Sequence, residues 1–335
     1  MSGQNPQLIC TVDPYEFLQI IRNPDGTIIR NPNRYPNISA APDSNLSTAV
    51  LSKDIHINQS NNTWARIFLP RQALDNSSNN KLPLIIYCHA GGFIHCSAAS
   101  TIFHDFCSDL AAQIPAVVGS VDYRLAPEHR LPAAYDDAVE ALHWIKTAQD
   151  DWLRSYADLA NCFIMGSSSG GNIAYHVGLR VAEEADNLRP MKIRGLILHQ
   201  PYFGGTEMSR SEIRLANNPR LPQSVSDLMW ELALPIGVDR DHEYCNPTTG
   251  NGSRLFDVQV GAVRAQEWKI LVIGCDGDPL IDRQIEVVNV LRRKGVQVVV
   301  EFGVGGYHLI HILEQSKAKE LHAILKNFVL HWVQP

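Results

Sequence analysis

Gly166-Ser167-Ser168-Ser169-Gly170-Gly171 follows directly on the apolar run Asn161-Cys162-Phe163-Ile164-Met165, and this junction constrains the fold more than any other stretch. Of the three serines only Ser168 has glycine both two residues before (Gly166) and two residues after (Gly170). Ser167 has Met165 and Ser169 at those positions, and Ser169 has Ser167 and Gly171. A nucleophilic serine on a sharp strand-to-helix turn needs that spacing, because the backbone closes in on both sides and leaves no room for a Cβ. The stretch 172–179 reads as a helix, whose first N–H groups would point back at the serine. An ordinary Ser/Gly turn has the same composition. The strand before and the helix after favour the nucleophile.

A serine hydroxyl attacks at neutral pH only when a histidine takes its proton, and the histidine needs an acid to orient it. The order Ser, then Asp or Glu, then His, each in a loop beyond a strand, is one known solution. Downstream, 268–275 is a buried-strand pattern ending in Asp276-Gly277-Asp278-Pro279, and the strand 296–302 runs into Gly303-Val304-Gly305-Gly306-Tyr307-His308. His308 is the expected base. Among the thirteen histidines His311 is its nearest competitor, while His143, His322 and His331 fall in helical stretches. For the acid, Asp278 is favoured because Pro279 pins the turn after it. Asp276 remains its main rival, and Asp282 reads as already helical. Upstream, the strand 82–88 leads into His89-Ala90-Gly91-Gly92-Phe93, where adjacent small residues let backbone N–H groups converge on an oxyanion. The Ser169 N–H, one residue past the nucleophile, is a further expected donor.

These pieces together resemble the hormone-sensitive-lipase group of α/β-hydrolases, and within it the plant carboxylesterases. The resemblance rests on HAGGF (89–93), DYRLAPEHRLPAAYDD (122–137), GSSSGGNIAYH (166–176), GDPLIDR (277–283) and GGYH (305–308), and runs from about Pro14 to the C-terminus. It implies an α/β-hydrolase fold, an acyl-ester hydrolase with Ser168, Asp278 and His308 as its triad, and oxyanion N–H groups from Gly91, Gly92 and Ser169. Two departures stand out. Ala90 replaces the first glycine of the usual HGGG box, which costs energy if that residue needs a positive φ. Ser167 stands where an acidic residue is common, and Ser169 where alanine is common. Relatives on this fold include dehydratases or cyclases of specialised metabolites that cleave no ester, and the gibberellin receptors. The receptors lack the triad histidine, so His308 argues against that reading; an idle scaffold is disfavoured by the complete triad order.

The rest of the sequence excludes more than it adds. Net charge is −6 and no basic run interleaves with aromatics, so nucleic acid is not an expected partner. The start, Met1 to Gln7, is polar, and no apolar stretch is long enough to span a membrane, so the expectation is a cytoplasmic protein without membrane contact. The expected partner is a small-molecule ester or related metabolite, with no obligate protein partner. Seven cysteines with no C-x-x-C pair read as free thiols, which leaves sequons such as Asn37-Ile38-Ser39 as chance matches. His308-Leu309-Ile310-His311 lacks the glutamate of a zinc helix, and no other motif implies a metal or cofactor.

A largely parallel sheet covered on both faces follows from strands near 50–57, 64–69, 82–88, 116–123 and 193–199 alternating with helices near 102–113 and 133–147. On the second helix Tyr135, Val139, Leu142 and Ile145 share one face. The alternation breaks at about 203–256, which holds an amphipathic helix at 224–234. We expect a single domain over 1–335 with a helical cap formed by about 1–45 and this insertion. Phe17, Ile21, Met229 and Trp230 are candidate pocket residues, with ordinary packing as the alternative. Arg124 and Glu128 are expected to form a structural ion pair.

Overall fold

Alternate residues along the central strands face two different cores, and this divides the molecule into three layers. The computed structural model describes residues 12–43, 48–74, 80–249 and 253–331. The sequence readings for the polar start at 1–7, most of the loop 75–81, Cys10 and the loop residues 250–252 lie outside it. The strands, in chain order, are β1 (Ile20–Arg22), β2 (Ile28–Arg30), β3 (Val50–Asn58), β4 (Thr63–Pro70), β5 (Leu82–Cys88), β6 (Val117–Asp122), β7 (Ala157–Ser167), β8 (Ile193–His199), β9 (Lys269–Cys275) and β10 (Gln297–Gly303). β1 and β2 form a small antiparallel pair. The other eight make one sheet in the order β10-β9-β8-β7-β5-β6-β4-β3, parallel from β10 to β6 and antiparallel at β4 and β3.

In β5, Leu84 and Ile86 face one core while Ile85 and Tyr87 face the other, and both sets are buried. That is the period of two expected of a strand covered on both sides. The helices are α1 (Pro14–Leu18), α2 (Thr101–Gln113), α3 (Ala133–Ile145), α4 (Asp151–Tyr156), α5 (Ser169–Glu183), α6 (Arg210–Arg214), α7 (Gln223–Ala233), α8 (Arg254–Ala265), α9 (Ile281–Arg293), α10 (Ile310–Leu313) and α11 (Gln315–Leu330). On one face α3, α5, α8 and α9 supply Leu142, Val177, Val260 and Leu291; on the other, α2 and α11 supply Phe106, Leu110, Leu325 and Phe328. β10 alternates exposed and half-buried residues, as an edge strand does.

The 203–256 segment, with α6 and α7, is tied to the body at several points. The Tyr202 ring stacks on Trp230 at 4.6 Å, and its hydroxyl donates to the Ser226 carbonyl at 2.8 Å. Arg130 donates to the carbonyls of Glu231 and Leu234, both at 2.6 Å. α1 packs against α7, and the Ser224 hydroxyl donates to the Val12 carbonyl at 3.0 Å. The N-terminal segment and the insertion therefore form one continuous layer.

The expected Arg124–Glu128 pair is not found. Arg124 turns toward the buried Asp137 of α3, which accepts from its backbone N at 2.8 Å and from its guanidinium at 2.7 Å. Glu128 turns outward and receives Arg30 of β2 at 2.7 Å. Both acids are structural, but their partners are set by tertiary approach and not by nearness in sequence. Removing the buried Asp137 carboxylate takes the acceptor from the Arg124 backbone N–H and from its half-buried guanidinium. Asp137→Ala is therefore expected to lower unfolding free energy by about 2 kcal/mol, measured by denaturant unfolding. Asp186→Ala, which breaks an exposed pair with Arg189, should change it by less than about 0.5 kcal/mol.

Candidate active site

At Ser168 the chain leaves β7 and enters α5 with φ 53° and ψ −119°, a conformation that costs a non-glycine residue roughly 1–3 kcal/mol. Backbone bonds hold it there: Ser168 N donates to the His199 carbonyl at 3.0 Å, and the Ser168 carbonyl accepts from Tyr202 N at 2.9 Å and Asn172 N at 3.1 Å. The flanking glycines are required by contact. A Cβ on Gly166 would lie 1.9 Å from the Gly170 carbonyl oxygen, and one on Gly170 would lie 1.9 Å from that of Cys88. This is the steric reason why Ser168, and neither neighbour, occupies the turn.

Three loops at the C-terminal end of the sheet then converge. His308 Nε2 lies 2.8 Å from Ser168 Oγ, and His308 Nδ1 lies 2.9 Å from Asp278 Oδ2. Asp278 is fully buried, and its carboxylate also accepts from Leu280 N at 3.0 Å and Gln284 Nε2 at 3.2 Å. With Nδ1–H donating to the carboxylate, Nε2 is free to accept from the serine hydroxyl. The rival acids are employed elsewhere: Asp276 accepts from Gly305 N at 2.5 Å and Asp282, inside α9, from Ser211 N at 2.8 Å. His311 lies in α10 and meets His199, Nδ1 to Nε2, at 3.1 Å. His143 and His322 lie in α3 and α11, and His331 caps α11.

Gly91 and Gly92, after β5, have φ of 132° and 62° and line the same cavity as Ser168 and His308. Among the described residues neither N–H donates to another backbone carbonyl. The Ser169 N–H opens α5, where no carbonyl of the helix lies one turn back to receive it. Ala90 has no positive φ, so its Cβ is unstrained and packs in the core shared with Phe103. The departure from the glycine box therefore costs the turn nothing. Ser167 fills the place of the usual acid with a neutral network: its hydroxyl accepts from Tyr87 OH at 3.1 Å and lies 2.9 Å from His199 Nδ1. Ser169 is fully buried.

The cavity, about 280 Å³, has a size that suits a small molecule. Its walls come from the N-terminal segment (Phe17, Arg34, Tyr35), the glycine turn and the insertion (Arg220, Val225, Met229). Of the candidate pocket residues Phe17 and Met229 line it. Ile21 does not, being 66% exposed, and Trp230 is spent on its stack with Tyr202.

One residue had no signature in the sequence. Gln200, buried just after β8, donates to the Tyr307 carbonyl at 3.2 Å and accepts from Leu309 N at 2.7 Å. It thereby clamps the backbone on both sides of His308. Four further histidines are buried around the site or beneath it. Burial lowers His89 to about 4, and lowers His176 to about 3 with a smaller contribution from Arg180. Burial, then Arg34 and Arg30, lower His95 to about 3, and burial, then His311, hold His199 well below the usual range.

Among the described residues no group of three or more His, Cys, Asp or Glu could hold a metal, and no helix is long and apolar enough to cross a membrane. A family model described as alpha/beta hydrolase fold matches residues 85–312. Carboxylesterase 20 of Arabidopsis thaliana is 50% identical over 95% of this chain and 96% of its own length. A 3-O-acetylpapaveroxine carboxylesterase of Papaver somniferum is 46% identical over 95% and 98%. A gibberellin receptor of Oryza sativa subsp. japonica is more distant, at 36% over 87% and 84%. Among solved structures, an esterase of Pyrobaculum calidifontis superposes with a TM-score of 0.69 over 87% of each chain at 23% identity, a likeness of fold.

The buried histidines set the acid limit of stability. Each has a folded-state value below its unfolded value near 6.5, so above that pH both states are neutral and nothing is lost. As pH falls below 6.5 the unfolded chain takes up protons that the folded one refuses, and stability drops until the folded rings begin to charge, His89 at about pH 4 and His95 and His176 at about pH 3. The loss is roughly 2 kcal/mol per ring at pH 5. Thermal melts should fall steadily from pH 7 to 4.5; a flat melting temperature across that window contradicts the neutral burial of these rings.

Proposed function

The chain belongs to the α/β-hydrolase fold family, among the plant carboxylesterases, and from that premise we propose that it hydrolyses small-molecule carboxylic esters with Ser168 as its nucleophile. The observation that carries the reading is the unbroken relay from Ser168 Oγ through His308 to the buried Asp278 carboxylate, at 2.8 and 2.9 Å. His308 takes the Ser168 proton as the hydroxyl adds to the ester carbonyl. Charge developing on the carbonyl oxygen is met by the N–H groups of Gly91, Gly92 and Ser169, fixed before the reaction begins. His308 then gives its proton to the leaving alkoxide, the alcohol departs, and an acyl-Ser168 ester remains. A water molecule, deprotonated by the same imidazole, adds to that ester and releases the acid. The Asp278 carboxylate holds the imidazole in its tautomer and stabilises the imidazolium; Gln200 and Gln284 keep the two partners in register.

We read the layer of α1, α6 and α7 as a cap over the cavity, which shapes the acyl and alcohol pockets and excludes bulk water. Its walls are mainly apolar, as expected for a site that selects by shape. The Papaver relative's name describes it as acting on an acetylated small molecule, and a short acyl ester is the corresponding test compound here.

Ser168→Ala should reduce kcat for 4-nitrophenyl acetate by on the order of 10³ or more, with an unchanged thermal melt. Undiminished turnover by the folded variant would remove Ser168 from the chemistry.

A further inference from the structure

Several arginines with buried or half-buried side chains are matched to carboxylates: Arg30 with Glu128, Arg66 with Asp54, Arg124 with Asp137, Arg180 with Asp136 and Arg283 with Glu212. Arg34, in the wall of the Ser168 cavity, forms no ion pair among the described residues. Its guanidinium packs over the rings of Phe17 at 5.6 Å and Tyr35 at 5.3 Å. Its Nε is buried with no hydrogen-bond partner. Packing on aromatic faces satisfies the flat surfaces of a guanidinium but supplies no acceptor in its plane; there the Tyr35 hydroxyl is one hydrogen-bond partner of the side chain, and Nε–H is left without one.

The surroundings repeat the pattern. His95, edge-on to Tyr35 at 5.6 Å, lines the same cavity, and its Nε2 is likewise buried without a partner. Arg220, from the insertion, also lines the cavity and lies over the Tyr307 ring at 5.0 Å, again with no carboxylate partner among the described residues. Among the described residues no Asp or Glu lines the cavity, although the chain has 35 acidic against 29 basic residues. A buried, unpaired guanidinium donor destabilises the empty protein. A carboxylate entering the cavity would supply the missing acceptor, and a planar fork facing a planar carboxylate is the strongest common form of that contact.

We propose that Arg34 is an anion-recognition residue of the Ser168 cavity and that the ester hydrolysed there carries a free carboxylate, with Arg220 adding positive charge at the mouth. This rests on the reading of Ser168 as an esterase nucleophile. Arg34 is a specificity residue that touches the substrate away from the scissile bond; it takes no part in proton transfer.

The test compares matched esters that differ by one carboxylate. One pair carries it in the acyl part (4-nitrophenyl monoadipate against 4-nitrophenyl hexanoate), the other in the alcohol part (4-acetoxyphenylacetate against 4-methylphenyl acetate). The wild type should favour the anionic member of at least one pair in kcat/KM by about tenfold or more at low salt, mainly through KM. Arg34→Met should abolish the preference and Arg34→Lys should retain part of it; if Arg34→Met does not fold, Arg34→Gln takes its place. A preference unchanged by these variants, or a wild type that favours the neutral member of both pairs, overturns the proposal. Calorimetric binding of adipate monoanilide and hexananilide to Ser168→Ala reads the same preference without turnover. If wild-type protein hydrolyses no ester yet Ser168→Ala favours the anilide with the carboxylate, the nucleophile reading fails and anion recognition stands. Equal affinity for the two anilides, with hydrolysis intact, is the opposite result.

Discussion

The approach of the Gly170 backbone to the Cys88 carbonyl fixes where α5 can begin, and much of the site depends on it. A methyl group at Gly170 would overlap that oxygen at 1.9 Å, and one at Gly166 would overlap Gly170 itself. With both positions stripped to hydrogen, the helix docks against the end of β5, next to the turn that carries Gly91 and Gly92. Ser168 is then left in a strained conformation that it adopts only because His199, Tyr202 and Asn172 hold its backbone from three sides. Strain at the serine and the placing of α5 beside the glycine turn are two results of one close contact.

The imidazole is positioned by different means. His308 follows Gly305 and Gly306, which allow a sharp exit from β10 but do not aim a ring. Aim comes from Gln200, which grips the peptide groups before and after it, and from the Asp278 carboxylate, held in turn by Leu280 N and Gln284. Around this polar centre the neutral Tyr87–Ser167–His199–His311 chain replaces the charge that the usual acid would bring. The buried carboxylate of the site is thus the one that faces His308.

The sheet and the meeting of Ser168, Asp278 and His308 were legible because each depends on local pattern. Continuous apolar runs mark strands buried on both faces, and the glycine spacing admits one serine in three. What failed to show depends on tertiary approach. Gln200 joins peptide groups more than a hundred residues away, and nothing in the residues around it indicates that. Arg124 and Glu128 look like a pair at a spacing of four, but they lie outside a helix, where that spacing does not bring side chains together. Instead α3 carries Asp137 to the one and β2 carries Arg30 to the other. Ile21 and Trp230 matched Phe17 and Met229 in character, and only tertiary packing separates them: Ile21, in β1, faces outward, and Trp230 of α7 turns onto the Tyr202 ring. Arg34 has no signature either, because its significance lies in the absence of a carboxylate partner among the described residues.

The most direct test is to treat the protein with a fluorophosphonate and locate the adduct by peptide mass spectrometry, in the wild type and in His308→Ala. The account predicts a single phosphonylated serine at Ser168, formed rapidly in the wild type and far more slowly without the imidazole. An adduct on Ser167 or Ser169, or labelling at Ser168 that is indifferent to His308, would contradict it.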